Sequence, residues 1–318
     1  MPHVSVYTVE MRFEEKVVAL RNRAAPGEPL FRIVRRNEYD ARLAAIAQAR
    51  GIEIRQNTAL TGLARADGGV RLKTSRGELT ARVVVGADGA KSSVRRWMNL
   101  SDGGQPARVS RLLEVLTAED AATSPEFVQG RAVFDFTPAQ DGVQGYCWDF
   151  PSYVDGRAMM NRGVFDSRVR PERRRADLTA ALDSYLRDRR RSLTECELHG
   201  HPERWYDPRG TYAVPHILLA GDAAGVDPLL GEGIAWALQY GPVAAAEVRN
   251  AFASGDFSFS GYSRRLRRSA VGANLTDRVR LARLLYSVDR RRLRLTWPLI
   301  GPIGRYLEWR LRRETAGP

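Results

Sequence analysis

Lysine, histidine and cysteine are scarce in this 318-residue chain, which contains three lysines, four histidines and two cysteines. Cys147 and Cys196 lack CxxC spacing, and no cluster of His and Cys occurs, so neither a disulfide nor a metal site is expected. No apolar run approaches the 18 residues of a membrane-spanning helix, and the opening residues lack the apolar region of a signal peptide. These absences predict a cytoplasmic protein. The length of 318 residues allows one large or two smaller domains.

Positive charge is concentrated at the carboxyl end of the chain. Residues 261–318 contain 15 arginines and four acidic residues, a local charge of +11 (15 − 4) out of a total of +13. Arginines close to Trp297, Tyr306 and Trp309 predict peripheral contact with an anionic membrane surface, with these aromatic rings at the level of the headgroups. A helical tail packed on its own domain is the alternative. No recognised nucleic-acid-binding motif occurs, so a nucleic-acid partner is not expected.

The most informative segment covers residues 217–246 and predicts a strand, a glycine-rich turn and a helix rich in small residues. Gly225, Gly231 and Gly233 would let backbone N–H groups approach a ligand, and the start of the helix would favour negative charge. Asp222, at the end of the strand, could accept hydrogen bonds from sugar-like hydroxyls. An ordinary strand-to-helix turn with alanine-rich packing is the alternative interpretation.

This segment resembles the second FAD-binding fingerprint of flavoprotein reductases and hydroxylases. The resemblance implies that the Asp222 carboxylate holds the ribityl chain of FAD, and that Pro228 and the Gly-x-Gly sequence lie beside the flavin ring. The residues that match the fingerprint are Gly221, Asp222, Ala223, Pro228, Gly231, Gly233 and Ile234.

A second motif lies about 130 residues upstream, where a β-branched strand is followed by Asp88 and Gly89. Asp-Gly fits a tight turn, and Ser92 or Ser93 fits a helix N-cap. The segment resembles the Asp-Gly motif of the same flavoproteins, which implies that Asp88 and Gly89 lie near the pyrophosphate of FAD. A simple capped turn is the alternative.

A third motif resembles the Arg-x-x-Phe-Asp-x-x-Leu element of these flavoproteins, with Tyr39 in place of phenylalanine. The resemblance implies that Arg36 reaches toward the cofactor, whereas a solvated surface arginine is the alternative. The spacing of Leu43 and Ile46 predicts a helix with one apolar stripe that ends at Gly51.

The Gly-x-Gly-x-x-Gly turn with which such flavoproteins begin does not occur in this sequence. Residues 1–34 instead alternate like a β-hairpin. About 80 to 100 residues of the family pattern are missing, judged from the size of such βαβ units. We therefore expect a misplaced start, a fragment, or a segment supplied by another chain.

The middle of the chain contains an aromatic strand that ends, by prediction, at Pro151. Tyr146, Trp148 and Phe150 alternate and share one face, which would form either sheet core or the floor of an apolar pocket. The sequence Tyr-x-Trp-x-Phe-Pro resembles the substrate-cavity motif of the geranylgeranyl reductase family. The resemblance implies that these three residues bind substrate and that reduced FAD delivers hydride to a C=C bond of an isoprenoid or another apolar lipid chain. The proton donor is not identified.

Two other functions stay open at this stage. A flavin-dependent monooxygenase or halogenase would use the same scaffold, and an inactive flavoprotein fragment would need a partner segment.

The predicted fold is of the α/β class with α+β elements. An incomplete Rossmann-like FAD-binding domain is expected over residues 35–100 and 210–253. A mainly antiparallel β-sheet substrate domain is expected over residues 1–34 and 101–209, with strands over residues 107–117, 131–136, 144–150 and 158–165. A helix is expected over residues 173–190, with Leu178, Leu182, Tyr185 and Leu186 on one face. Residues 254–318 are expected to form a basic helical region.

Overall fold

The computed structural model describes residues 3–22, 25–100, 108–288, 290–299, 301 and 302. The strands are β1 (His3–Val6), β2 (Thr8–Phe13), β3 (Lys16–Arg21), β4 (Phe31–Val34), β5 (Leu60–Ala66), β6 (Gly69–Thr74), β7 (Gly77–Ala81), β8 (Val84–Gly86), β9 (Val109–Ala118), β10 (Arg131–Asp135), β11 (Gly145–Val154), β12 (Arg157–Asp166), β13 (His199–Arg204), β14 (Ala213–Val214) and β15 (Ile217–Leu219). The α-helices are α1 (Arg36–Ala49), α2 (Ser93–Trp97), α3 (Pro125–Val128), α4 (Leu178–Arg187), α5 (Ile234–Ser254), α6 (Tyr262–Arg268), α7 (Ala270–Leu285) and α8 (Arg290–Thr296).

The largest unit is a seven-stranded sheet with the order β13-β9-β12-β11-β10-β2-β3. All neighbouring strands are antiparallel except β10 and β2, which are parallel. The prediction that Pro151 ends the aromatic strand is wrong, because β11 continues to Val154 and Pro151 pairs with Met160. Strand β10 pairs only with Cys147–Asp149, so the missing N–H of Pro151 interrupts no ladder on that side.

One face of this sheet is covered by α4. Leu178, Leu182, Tyr185 and Leu186 of α4 are buried, as their spacing predicts, although the helix is shorter than the predicted range of 173–190. Asp149 of β11 lies beneath this helix. Its carboxylate accepts hydrogen bonds from Nε of Arg162 at 2.9 Å, from the Tyr185 hydroxyl at 2.9 Å and from Nε of Arg189 at 2.8 Å. A buried charge needs such partners, so this network holds α4 on the sheet.

Residues 3–34 do not form one hairpin. Strands β2 and β3 form a hairpin within the large sheet, whereas β1 pairs with β4 in a separate two-stranded sheet. The following helix α1 is present as predicted, but it has no buried residue. The expected apolar stripe therefore faces outward, with Leu43 and Ile46 exposed.

The glycine-rich segment lies in a second, smaller sheet with the order β14-β15-β8, where β15 and β8 are parallel. The carboxyl ends of β8 and β15 therefore lie side by side, and that edge is where open α/β sheets bind ligands. Within the described residues β8 has no strand on its other side, and Val85 is exposed there. A three-stranded meander, β5-β6-β7, stands beside this sheet.

The carboxyl-terminal helices pack into the core. Tyr262, Leu275 and Val279 of α6 and α7 are buried, and Trp297 is 1% exposed with its ring 5.3 Å from that of Phe13. The expectation that Trp297 lies at the level of lipid headgroups is wrong, because its ring is buried in the packed core. Tyr306 and Trp309 lie outside the described residues. In the part of the chain that the structure describes, no helix is long and apolar enough to cross a membrane.

Candidate functional site

The site is built around the turn that joins β15 to α5. Gly221, Gly225 and Gly231 have φ values of +57°, +118° and +67°, which only glycine adopts readily. A Cβ on Gly225 would also lie 2.8 Å from the backbone of Trp205. Helix α5 then starts at Ile234 with Gly233 as its N-cap. The glycines thus keep the turn close to the neighbouring strand. In the first turn of the 21-residue helix, the N–H of Ala235 donates a hydrogen bond to the Glu232 carboxylate at 2.8 Å.

Asp222 lies in this turn with its side chain half-buried. Burial raises the pKa of its carboxyl group, and the positive charge of Arg36 lowers it. Arg36 itself is largely exposed and pairs with Asp40 at 3.1 Å. The structure therefore brings two sequence-predicted site residues, from α1 and from the turn, within electrostatic range of each other.

Asp88 and Gly89 form the turn after β8, at the same edge of the sheet. The Asp88 carboxylate accepts hydrogen bonds from the Ser92 hydroxyl at 2.5 Å and from the N–H of Ser93 at 2.7 Å. Ser92 in turn caps α2 by accepting from the N–H of Arg95, so a serine N-cap is confirmed. Asp88 thus fixes the start of α2, and Gly89 allows the turn through its φ of +79°. A cofactor role for these two residues stays a prediction.

The loop between Gly225 and Gly231 is held from below by Asp227. This carboxylate is fully buried, pairs with Arg278 of α7 at 2.9 Å and accepts a hydrogen bond from the N–H of Leu229 at 2.7 Å. Burial raises the pKa of Asp227, and Arg278 lowers it. The neighbouring Pro228 carbonyl accepts a hydrogen bond from the Ser167 hydroxyl at 2.5 Å. The loop is therefore preorganised by Ser167, which follows β12, and by Arg278 of α7.

The aromatic strand β11 packs directly against this loop. The Tyr146 hydroxyl donates a hydrogen bond to the carbonyl of Leu230. The Trp148 ring lies 5.8 Å from that of Phe150, and its indole N–H donates to Asn161 at 2.7 Å. Tyr146 and Trp148 are buried in the main hydrophobic core, while Phe150 is partly buried. The three residues share one face as predicted, and that face lies beside the glycine-rich loop.

Glu203 also belongs to the site, although no sequence motif marks it and β13, which carries it, was not among the predicted strands. It is 6% exposed, and its Oε2 has no hydrogen-bond partner among the described residues. A Cβ on Gly233 would lie 3.0 Å from its Oε1 and 3.5 Å from Oδ1 of Asp222. Two carboxyl groups thus face Gly233 together.

The residues present fit the flavin and ribityl end of FAD. A half-buried carboxylate follows a strand, and a turn of glycines without side chains follows that carboxylate. Glu203 contributes an enclosed carboxyl oxygen without a partner, and a buried polar group of this kind requires one. The donor set therefore suits a ligand that is rich in hydroxyl and heterocyclic nitrogen and oxygen atoms.

Comparisons with known proteins agree with this geometry. Residues 15–241 match the family model described as an FAD binding domain. A digeranylgeranylglycerophospholipid reductase of Methanosarcina acetivorans is 29% identical over 71% of this chain and 55% of its own length. A rifampicin monooxygenase of Streptomyces venezuelae is 32% identical over 65% of this chain and 43% of its own length. The chain thus spans about half the length of these curated relatives.

Solved structures show the same fold. A geranylgeranyl bacteriochlorophyll reductase-like protein of Thermoplasma acidophilum superposes with a TM-score of 0.75 and 22% identity, over 92% of this chain and 74% of that one. A halogenase in complex with FAD superposes with a TM-score of 0.64 and 14% identity, over 90% of this chain and 60% of that one. Because the family model covers residues 15–241, this chain belongs to the FAD-binding domain family.

Proposed function

We propose that this chain forms the flavin-ring and substrate part of an FAD-dependent oxidoreductase that reduces C=C bonds in an isoprenoid or another apolar lipid chain. The observation that carries the proposal is the contact between the aromatic strand and the glycine-rich loop, made by the hydrogen bond from Tyr146 to the Leu230 carbonyl. An apolar wall and a cofactor turn in direct contact suit a hydride transfer between flavin and an alkene.

Each part of the site has a defined task in this proposal. When bound, reduced FAD supplies the hydride. Asp222 would accept hydrogen bonds from the ribityl hydroxyls, and the turn of Gly231 and Gly233 would border the flavin. Trp148 and Phe150 exclude water from the reacting carbons. Because Asp227 and Arg278 hold the loop from below, the turn needs little reorganisation when ligands bind.

A flavin-dependent monooxygenase or halogenase is the second candidate, and the rifampicin monooxygenase relative favours it. The two functions differ in what oxidises the reduced flavin. Anaerobic mixing of the photoreduced, flavin-loaded protein with a prenyl alcohol should restore the absorbance of oxidised flavin if the chain is a reductase. Reoxidation that requires O₂ and ignores the alkene would instead support the monooxygenase.

The pyrophosphate end of the site is completed, in this proposal, by a segment supplied upstream or by a partner chain. Strand β8 offers an open parallel edge, and α1 buries none of its residues, so an added strand and helix would cover both. Because a Gly-rich phosphate turn supplies N–H contacts and a helix N-terminus, its absence should leave the 318-residue chain with weak FAD binding. Titration should show no tight complex, and a sub-micromolar Kd would refute this point. Every assay of the flavin-loaded protein therefore uses a saturating concentration of FAD.

The same proposal places the protein in the cytoplasm at the surface of the membrane that holds its substrate. Helix α8 carries exposed arginines, including Arg291 and Arg294. It lies next to the large sheet, whose residues Tyr146, Trp148 and Phe150 form the aromatic wall. Each arginine near an anionic surface contributes about 1 kcal/mol of attraction, so a few suffice at low salt.

A further inference from the structure

We propose that Glu203 is the proton donor of the reaction, the acid that protonates the alkene carbon that does not receive the hydride. This inference rests on the proposed function and adds a catalytic residue to it. Glu203 lies outside all three flavoprotein motifs, and its place follows from the geometry of the sheet.

The register of the large sheet puts Glu203 on the same face as the aromatic wall. Tyr146 pairs with Phe165, Phe165 with Leu112, and Leu112 with His201. Directly paired residues share a face, as do residues two apart on one strand, so Glu203 points to the side of Tyr146 and Phe165.

The carboxyl group of Glu203 lies against the glycine-rich turn. A Cβ on Gly231 would lie 3.3 Å from Oε2 of Glu203 and 2.8 Å from the ring of Phe165. A Cβ on Gly233 would lie 3.0 Å from Oε1 of Glu203. The carboxyl group of Glu203 therefore lies against the glycines of the turn, on the face of the sheet that carries Tyr146 and Phe165, where the proposed reaction needs a proton.

The surroundings of Glu203 favour the protonated form of its carboxyl group. Burial raises the pKa of Glu203 well above its ordinary value, and the negative charges of Asp222, Asp227 and Glu232 raise it further. The cations on the packed elements serve other carboxylates: Arg278 of α7 pairs with Asp227, and Arg36 of α1 acts on Asp222. Tyr146 lies on the same face and is likewise buried with a raised pKa. Its hydroxyl donates a hydrogen bond to the Leu230 carbonyl.

These carboxyl groups do not form a metal site. Among the described residues no group of His, Cys, Asp and Glu is arranged to hold a metal ion. An enclosed carboxyl group whose Oε2 has no hydrogen-bond partner and whose pKa is raised by burial suits a general acid, whose pKa must lie near or above the working pH.

The step balances without a further reactant. The π bond of the alkene, the O–H bond of Glu203 and the N–H bond of reduced flavin that would supply the hydride break, while one new C–H bond forms with the hydride and a second with the carboxyl proton. The alkene is reduced by two electrons, the reduced flavin is oxidised by two, and Glu203 is left as a carboxylate. Water then returns a proton to Glu203 before the next turnover.

The first test needs neither flavin nor substrate. Infrared spectra of the full chain, compared between wild type and Glu203→Gln, should show a neutral carboxyl band that belongs to Glu203 at pH 7 and disappears only at higher pH. A Glu203 carboxyl group that is ionised at pH 7 would overturn the proposal. Because glutamine has nearly the same shape and is neutral, this variant is expected to fold.

The second test measures single turnover of the flavin-loaded protein with a prenyl alcohol. At saturating FAD, Glu203→Gln should lower the rate by at least about 100-fold, the lower range for general acid catalysis. Glu203→Asp should recover part of the rate, and the exposed Glu197→Gln should match wild type. The wild-type rate should fall as pH rises through the pKa of Glu203 that the infrared spectra give.

The outcomes separate this inference from the proposed function. A wild-type protein that reduces the alkene while Glu203→Gln keeps its rate would overturn the role of Glu203 and leave the function standing. Loss of activity in Tyr146→Phe but not in Glu203→Gln would assign the proton to Tyr146 instead. A wild-type protein that reduces no prenyl chain would overturn both.

Discussion

Gly231→Ala is expected to destabilise the chain by two separate physical effects. The glycine has a φ of +67°, where an L-residue costs about 1–2 kcal/mol. The added Cβ would also lie 2.8 Å from the ring of Phe165, which is 1% exposed and cannot move aside. Overpacking of this kind costs about 1–3 kcal/mol. The total loss in the free energy of unfolding is therefore expected to be roughly 2–5 kcal/mol.

Gly156→Ala is the matched control for this substitution. Gly156 has a φ of +76°, and a Cβ there would meet nothing within 4 Å. Both variants change glycine to alanine, so their effect on the unfolded chain cancels in the comparison. Urea unfolding with unchanged slope should give a difference of about 1–3 kcal/mol between them, which is the steric part alone. If Gly231→Ala costs no more than Gly156→Ala, the close packing of the turn against Phe165 is wrong.

Three further predictions concern the cofactor, the network under α4 and the basic helix. Asp222→Ala should weaken FAD binding of the flavin-loaded protein by roughly 1.5–3 kcal/mol, measured by flavin titration, while the exposed Asp256→Ala should not; equal losses would count against the ribityl role. Asp149→Ala should lower the free energy of unfolding by about 3 kcal/mol in urea, because two arginines lose their buried partner; a loss below that of a surface substitution would contradict the network. The double change of Arg291 and Arg294 to glutamine should weaken co-sedimentation with anionic vesicles at low salt by roughly 2 kcal/mol, and binding unchanged by it would exclude α8 as the contact.

The structure decides how the membrane and cofactor tests must be designed. Removal of residues 261–318 would also remove the buried residues of α6 and α7, so truncation would test folding and not lipid binding. Asp227, which lies next to the turn, is an unsuitable control for Asp222 because it is fully buried and paired with Arg278.

Local patterns predicted the elements that make up most of the site. The alternation of Tyr146, Trp148 and Phe150 gave β11 and its face, and the stripe of Leu182 and Tyr185 gave the buried side of α4. These two predictions succeeded because the pattern of burial along an element follows from the sequence of that element alone.

The failures share one cause, which is that the deciding neighbour lies far away in sequence. Pro151 is tolerated in β11 because the pairing of β11 with β10 stops at Asp149, and α1 has no buried residue although the spacing of Leu43 and Ile46 predicted an apolar stripe. Trp297 is buried by Phe13, at the other end of the chain. Glu203 could not be found at all, since only the pairing of β13 with β9 brings it to the turn.

The most direct test of the central claim is the identity of the product. The flavin-loaded protein should be incubated anaerobically with a reductant and an isoprenoid alcohol, in D₂O and in H₂O, and the extracted lipid analysed by mass spectrometry. The proposed function predicts a product that has gained two hydrogen atoms for each reduced double bond. Both are deuterium when D₂O is used, because the N–H hydrogens of reduced flavin exchange with solvent. Unchanged lipid under these conditions, together with an oxygenated product once air is admitted, would contradict it.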